Sequence, residues 1–371
     1  MPGPGTRRDK RTPAIAPWQG SAPAMTPDDE GTPVLPALRR WIITAAAVLP
    51  ASTAALSGAY FTGQQPQAAT KVGAVSHAAP AARAIDAANL YVDPTSNPAR
   101  WVAANPGDSR AARIKTAIAD QPIAKWFGNW DSDVTAAVSN YVGRAQQTGA
   151  IPMLVAYNVP GRDCGSHSGG GAGSPAAYRT WIGQFATAIG SRQAIVVVEP
   201  DAVAQLDCLP NDTERQTRLD LLKYGVQQLK AKAPNAWVYL DAANAKWIPA
   251  ATMAQRLRAA GIADARGFSV NVSNYYTTEE SVVYAKAVNA GLSSGKTFVV
   301  DTSRNGNGSN GEWCNPAGRK LGTPPREGTD AELELWVKVP GDSDGDCGIG
   351  AGIPAGQFSP DLAIRLINGT R

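Results

Sequence analysis

Histidine is scarce in this sequence, which contains only His77 and His167. Because His77 lies in a low-complexity stretch, a Ser-His-Asp hydrolase would have to depend on His167 alone. A zinc site with several histidines is excluded within one chain. The four cysteines lack the close CxxC spacing of zinc and redox motifs. Catalytic chemistry in this chain therefore has to be sought among other side chains, above all carboxylates.

Excess charge is also missing, since 35 basic and 31 acidic residues leave a net charge of +4 over 371 residues. No cluster of Lys and Arg with interleaved aromatic residues occurs, so nucleic acid is not expected as a partner. What the sequence does have is ten tryptophans. Their flat faces fill protein cores, but they also suit stacking on sugar rings.

The first 84 residues have the composition of an export region. Residues 1–38 are rich in Pro, Gly and charge, and they predict a disordered extension. Arg39 and Arg40 precede an apolar segment, so 39–61 is interpreted as a secretory signal peptide or, if residues 41–60 stay uncleaved, a signal anchor. Translation starting at Met25 would give this signal a more usual length. Residues 62–84 are predicted to be an Ala/Pro/Gln-rich linker, followed by one catalytic domain at 85–371.

Strand-like apolar runs alternate with helical patterns along the folded region. The strands are predicted at 151–157, 194–198, 237–240, 267–272, 297–300 and 332–339, with helices at 175–190, 212–233, 251–260 and 278–290. Residues 91–145 are expected to supply the first helices and one more strand. Such alternation favours an α/β fold with a parallel sheet and crossover helices, most simply a barrel.

In a barrel, the loops that follow the strands share one rim. The charged residues that this geometry would bring together are Asp163, Asp201, Asp241, Arg304, Lys338, Asp342 and Asp344, with the aromatic residues Tyr157, Trp247, Tyr275 and Trp313. Carboxylates can perform acid–base chemistry, and aromatic faces can hold pyranose rings. The rim therefore has the composition of a polysaccharide hydrolase.

The strand predicted at 194–198 ends at Glu199-Pro200-Asp201, because Pro200 lacks an N–H and biases Glu199 towards extended geometry. On this position alone, Asp201 is as readily a helix cap as a catalyst. Glu199 is expected to point inward as a structural hydrogen-bond acceptor. For the cysteines of an exported chain three pairings are open, of which Cys164–Cys208 with Cys314–Cys347 closes the shortest loops.

Seven segments, in order, carry a resemblance to one family. They read YNVPGRDCG, VVVEPDAVA, YLDAANAKW, VNVSNYY, DTSRNGNG, EWCNPAGR and LWVKVPGDSDG. Together they resemble glycoside hydrolase family 6, the cellulase family of inverting β-1,4-glucanases. The resemblance implies a distorted, TIM-like (β/α) barrel with about seven parallel strands in a single catalytic domain.

The resemblance also implies roles for individual residues. Asp201 would be the general acid, Asp163 would raise its pKa, Asp344 would be the base, and Tyr157 would lie beneath the scissile sugar. Substrate-binding roles are implied for Trp126, Asp241, Asn244, Trp247, Asn271, Asn274, Trp313, Lys338 and Asp342. The family disulfides correspond to Cys164–Cys208 and Cys314–Cys347. No metal and no cofactor is expected.

Two positions depart from the family pattern. Asp342 stands where the family usually has Glu, and Asn244 stands where it commonly has His. The expected function is nevertheless a secreted, monomeric endoglucanase that binds β-1,4-glucan or cello-oligosaccharides. Endo action is favoured because the segment between WCNP and the last strand is short, whereas family exo-enzymes roof the cleft with long loops. The alternatives are a cellobiohydrolase-type exo-enzyme and a non-catalytic glucan-binding relative.

Overall fold

Within residues 84–370, the part of the chain that the computed structural model describes, eight strands form one curled sheet. In chain order they are β1 Lys125–Phe127, β2 Met153–Ala156, β3 Ala194–Val198, β4 Ala236–Asp241, β5 Gly267–Val270, β6 Thr297–Asp301, β7 Arg326–Glu327 and β8 Leu333–Leu335. The spatial order is β1-β2-β3-β4-β5-β6-β8-β7. The strands from β1 to β6 and β8 run parallel, and only the edge strand β7 is antiparallel to its neighbour. The expectation of about seven parallel strands is confirmed.

The sheet curls until the two ends of its parallel run meet, but it does not close into a full ladder. Ala124, just before β1, donates its N–H to the carbonyl of Trp336, just after β8, at 3.0 Å. The indole N–H of Trp126 donates to the carbonyl of Val337 at 2.8 Å. Among the described residues no strand pairing joins β1 to β8. The architecture is therefore a distorted barrel, as expected.

Helices connect the strands and cover the outside of the sheet. They are α1 Asn97–Ala104, α2 Ala111–Ile114, α3 Val134–Gln147, α4 Pro175–Ile189, α5 Asp212–Lys232, α6 Ala250–Ala259, α7 Thr278–Ala290 and α8 Pro360–Asn368. Local sequence explains where they begin. Ser174 and Asn211 cap α4 and α5 through their side-chain oxygens, and Thr277 with Glu280 forms a capping box on α7.

The apolar run of β3 is buried on both faces. Val196 and Val198 pack outward into the core that the strands share with the surrounding helices. Ile195 and Val197 point inward, into a second core inside the barrel with Tyr239. Burial on both faces is the reason that the sequence shows a continuous apolar run rather than an alternating one.

Several predicted boundaries need correction. The strand predicted from Ile151 begins at Met153, because Pro152 has no N–H for the ladder and Ile151 forms only an isolated bridge to Leu90. The strand predicted at 332–339 is limited to Leu333–Leu335. Beyond it the N–H groups of Val337 and Lys338 turn to a side chain, the carboxylate of Asp301, instead of a neighbouring strand.

Both disulfides join loops on the rim that follows the strands. Cys164–Cys208 connects the segment after β2 to the segment after β3, and Cys314–Cys347 connects the segment after β6 to the one after β8. This is the pairing that closes the shortest loops, and it is confirmed.

The predicted extension at 1–38, the signal or anchor at 39–61 and the linker at 62–84, except for Ala84, lie outside the described residues. No helix within residues 84–370 combines the length and the apolar character that a membrane crossing would need.

Candidate active site

Carboxylates buried at the ends of three strands hold the rim of the barrel together. Glu199 follows β3, whereas Asp241 and Asp301 are the last residues of β4 and β6. All three are 0–1% exposed. Glu199 Oε2 accepts from the N–H groups of Asn158 and Val159, each at 2.9 Å. Glu199 therefore fixes the loop that follows the preceding strand, which agrees with its expected structural role.

Asp241 fixes the loop that carries Asp201. Its Oδ2 accepts from the N–H groups of Asp201 and Ala243, each at 2.9 Å, and its Oδ1 accepts from the Ser269 hydroxyl at 3.0 Å. Burial raises the pKa of Asp241 to about 6, against the effect of these donors. Asp241 lines neither of the two cavities described below, and its contact with the site is the hydrogen bond from the N–H of Asp201.

Asp301 ties three loops together. Its Oδ2 accepts from the N–H groups of Ser273 and Lys338, each at 3.0 Å, and its Oδ1 accepts from that of Ser303 at 2.9 Å. Burial raises the pKa of Asp301. Asp301 is not among the site residues predicted from the sequence, although it follows a predicted strand just as Glu199 and Asp201 do.

Backbone strain is concentrated on the same rim. Eight non-glycine residues between Ala84 and Thr370 have a positive φ, namely Asp163, Cys164, Glu199, Asp201, Ala243, Asn271, Ser273 and Asn315. All of them lie in segments that follow β2, β3, β4, β5 or β6. Such conformations cost about 1–3 kcal/mol each and persist only where surrounding contacts enforce them. The hydrogen bonds to Glu199, Asp241 and Asp301 provide such contacts.

Asp201 presents a carboxyl group to the main cleft. It lines a cavity of about 490 Å³, and one of its oxygens, Oδ1, accepts no hydrogen bond from any described residue. Burial, followed by the neighbouring carboxylates of Asp241, Asp163 and Asp344, raises the pKa of Asp201 well above its usual value. Asp201 is therefore the carboxyl group at this site that is suited to donate a proton.

Asp163 lines the same cavity and carries part of the loop after β2. Its Oδ2 accepts from the N–H of Ser168 at 2.9 Å, and its Oδ1 accepts from the Gln205 amide at 3.2 Å. The carboxylate thus folds its own loop back on itself while contributing negative charge beside Asp201.

Asp344 has the opposite environment. Its carboxylate contacts Arg304 Nη1 at 2.8 and 3.0 Å and Lys338 Nζ at 3.1 Å, and it accepts from the Tyr275 hydroxyl at 3.0 Å. Burial alone would raise the pKa of Asp344, but Arg304 and Lys338 hold it well below its usual range. Asp344 is therefore ionised. Arg304 and Tyr275 appeared among the predicted rim residues, but without an assigned role.

The remaining predicted site residues fall into three groups. The main cavity is lined by Asn244, Trp247, Asn274 and Trp313, together with Asp163 and Asp201. A second cavity, of about 230 Å³, is lined by Trp126, Tyr157, Lys338 and Asp342. It adjoins the main cavity and is called the second part of the cleft, because its lining residue His167 contacts Trp313 with ring centroids 6.0 Å apart. Asn271 faces neither, because it is fully buried and donates to the carbonyls of Tyr276 and Asp301.

The two positions that depart from the family pattern are both bound by protein groups. Asp342 Oδ2 accepts from the Asn97 amide at 2.8 Å, and burial raises the pKa of Asp342 to about 7. Asn244 Oδ1 accepts from the N–H of Lys246 at 3.1 Å, and Asn244 lines the main cavity.

One group of three His, Cys, Asp or Glu side chains in the described part of the chain brings its ligand atoms within 4.8 Å of one another. These residues are His167, Cys314 and Cys347. The two sulfurs are joined in a disulfide, so they cannot serve as thiolate ligands.

A carboxyl group with a raised pKa at Asp201 and one with a lowered pKa at Asp344 suit the acid–base chemistry of glycoside hydrolysis, and the exposed tryptophan faces suit sugar stacking. A sequence model of the family described as glycosyl hydrolases family 6 matches residues 85–369. The chain belongs to glycosyl hydrolases family 6.

Relatives within family 6 agree with this placement. Endoglucanase 1 of Streptomyces halstedii is 51% identical over 301 residues, which cover 79% of this chain and 94% of that protein. Endoglucanase A of Cellulomonas fimi is 46% identical over 289 residues, and this chain spans 61% of its length. The solved structure of the endoglucanase Cel6 from Mycobacterium tuberculosis, in complex with a thio-linked methyl cellobiosyl cellobioside, is 42% identical and superposes with a TM-score of 0.70 over 76% of this chain and 96% of that one.

Substitution of Glu199 separates a structural role from a catalytic one. Glu199→Ala leaves the N–H groups of Asn158 and Val159 buried without an acceptor. We expect the free energy of unfolding to fall by about 2–6 kcal/mol, measured by urea denaturation, because each unsatisfied buried donor costs about 1–3 kcal/mol.

Glu199→Gln is the matched control, since one amide oxygen can accept from both N–H groups as Glu199 Oε2 does. We expect it to keep most of the stability and most of the hydrolytic activity. A Glu199→Gln variant that folds normally but is inactive would contradict the structural role.

Proposed function

We propose that this family 6 enzyme cleaves internal β-1,4-glucosidic bonds of cellulose or related β-glucans with inversion at the anomeric carbon. The observation that carries the proposal is the pair formed by Asp201 and Asp344. One carboxyl group is open to the cleft and has a raised pKa, and the other is held ionised by Arg304 and Lys338. Opposite pKa shifts of two carboxyl groups within one site are typical of an acid and its partner.

Asp201 acts as the general acid. A free aspartate, with a pKa near 3.9, is mostly ionised at neutral pH and donates poorly. The raised pKa of Asp201 keeps a proton on its carboxyl group in the operating range. That proton passes to the glycosidic oxygen as the bond to the anomeric carbon breaks.

Asp344 acts from the other side of the reacting sugar. Its low pKa makes it a weak proton acceptor towards ordinary water. The attacking water becomes strongly acidic as its oxygen bonds to the oxocarbenium-like carbon, so a weak base is sufficient late in that step. Before then, the negative charge of Asp344 orients the water and balances the developing positive charge.

The rest of the cleft holds the glucan chain. Trp247 and Trp313 are 42% and 49% exposed, and their faces suit stacking on pyranose rings. Trp126 and Lys338 line the second part of the cleft and would bind the neighbouring part of the chain. The two disulfides on the rim favour a secreted enzyme, because disulfides persist in oxidising compartments. We expect it to act as a monomer.

Asp201→Asn tests the assignment of the acid. The substitution removes the proton donor but keeps size and polarity, so we expect reducing-sugar release from carboxymethyl-cellulose to fall by at least about 10²-fold, the lower end of a general acid's contribution. Binding of cello-oligosaccharides, measured by calorimetry, should remain. Full activity in this variant would contradict the assignment.

The wild-type enzyme in the same assay separates the alternatives. A non-catalytic glucan-binding protein would bind cello-oligosaccharides without releasing reducing ends. Endo action should lower the viscosity of carboxymethyl-cellulose early, when few reducing ends have been released, whereas exo action should release reducing ends with little loss of viscosity.

Asp163→Asn tests the origin of the raised pKa. Hydrolysis needs protonated Asp201, so kcat/KM falls as the pH rises through the pKa of Asp201. The charge of Asp163 raises that pKa. Its removal should therefore move the alkaline limb of the pH–rate profile to lower pH.

The control for this shift is Asp220→Asn, which changes the net charge equally at an exposed position of α5. We expect it to leave the limb in place. Equal displacement in both variants would show a general charge effect instead of local repulsion between Asp163 and Asp201.

A further inference from the structure

Among the described residues, Trp130 is a third strongly exposed tryptophan besides Trp247 and Trp313, and the catalytic arrangement does not use it. Its side chain is 52% exposed, more than that of Trp247 or Trp313. It lines the second part of the cleft together with Trp126 and Tyr157. A large apolar ring exposed at the edge of a binding cleft is a candidate contact surface.

A tight turn after β1 places Trp130 on the rim. The N–H of Asp131 donates to the Gly128 carbonyl at 3.1 Å, and the Asp131 carboxylate accepts from the Gly128 N–H at 3.0 Å. A Cβ at position 128 would lie 2.6 Å from the Trp130 ring. Glycine is therefore required there for the indole to lie back against the turn.

Arg162 supports the indole from within the protein. Its guanidinium carbon lies 5.1 Å from the Trp130 ring centroid and 4.7 Å from that of Tyr157, so it contacts both rings. The guanidinium also donates to Asn129 Oδ1 and to the Ser168 carbonyl, each at 2.8 Å. Arg162 is only 6% exposed. These contacts fix the orientation of the Trp130 ring.

Tyr157, which Arg162 also contacts, packs in turn against Trp126, a predicted substrate-binding residue. The Tyr157 ring meets the Trp126 ring edge-on, with centroids 5.0 Å apart. These contacts join four residues into one continuous wall, namely Trp126, Tyr157, Arg162 and Trp130. Trp130 is the most exposed of the four. Arg162 lies over the indole, yet Trp130 remains 52% exposed, so part of the ring is accessible to a ligand.

We propose that Trp130 stacks on an additional glucosyl unit of the bound chain, at the exposed end of this wall. This proposal rests on the proposed function, and it adds one sugar-binding position to the cleft. The proposed ligand is a further sugar of the same glucan chain, because Trp130 lines the same part of the cleft as Trp126 and likewise presents an aromatic face. Long chains would gain affinity from this contact, and short chains would not reach it.

Trp130→Ala should change the dependence on chain length. In wild-type enzyme, kcat/KM for cello-oligosaccharides from cellotriose to cellohexaose should rise when a sugar first reaches Trp130. That increment should shrink by about tenfold in the variant, which corresponds to about 1.4 kcal/mol of lost aromatic contact. Trp130→Phe, which keeps an aromatic face, should retain most of the increment.

Affinity gives a second measurement that is independent of turnover. In the Asp201→Asn background, calorimetry should show that Trp130→Ala weakens cellohexaose binding and leaves cellotriose binding unchanged. Val283→Ala, which truncates an exposed apolar residue on α7, is the control and should change neither.

Two results would overturn the inference. Equal losses for every chain length would mean that Trp130 only supports Arg162 and Tyr157, and no loss at any length would mean that it contacts no sugar. Failure of the proposed function would look different, because wild-type enzyme would then cleave none of the oligosaccharides.

Discussion

Hydrogen bonds from backbone N–H groups to three buried carboxylates are the interaction on which this rim depends. Burying an ionisable group is costly unless donors compensate for the lost water. Glu199, Asp241 and Asp301 each accept at least two backbone N–H groups, and in each case at least one comes from the loop of the preceding strand. Neighbouring loops are thereby fixed to one another, and residues with positive φ are kept in place. The strained backbone held by these buried carboxylates positions the side chains that face the cleft, such as Asp201.

Asp201 and Asp344 show how one residue type can take two opposite states within this frame. Burial and the neighbouring carboxylates raise the pKa of Asp201, one of whose oxygens has no protein donor, and this favours its protonated form. Asp344 lies between Arg304 and Lys338, so its charge is retained. The difference comes from neighbours that reach the site from separate strand ends. Asp241 contributes twice, since it holds the backbone of Asp201 and also repels its charge.

The sequence was sufficient for the alternating architecture and for the residues within ordered motifs. β3 and α7 begin and end where predicted, since an unbroken apolar run and a capped helical pattern are local signals. Local sequence does not determine which way a side chain points at a strained strand end. Asp241 and Asn271 were therefore predicted to bind substrate, although neither lines the two cavities. Trp130 was missed because β1 has only three residues and a turn after it carries no periodicity. The two-residue β7 was missed for a similar reason.

The rim favours the protonated form of Asp201 and the ionised form of Asp344. Carbon-13 NMR of the aspartate side-chain carboxyl groups during a pH titration measures this directly, with the Asp201 signal assigned by its loss in Asp201→Asn. We predict that Asp201 titrates well above the value near 3.9 of a free aspartate, and that Asp344 stays ionised throughout the range in which the enzyme is folded. An Asp201 carboxyl group that titrates at the ordinary value in the folded enzyme would show that the rim does not raise its pKa.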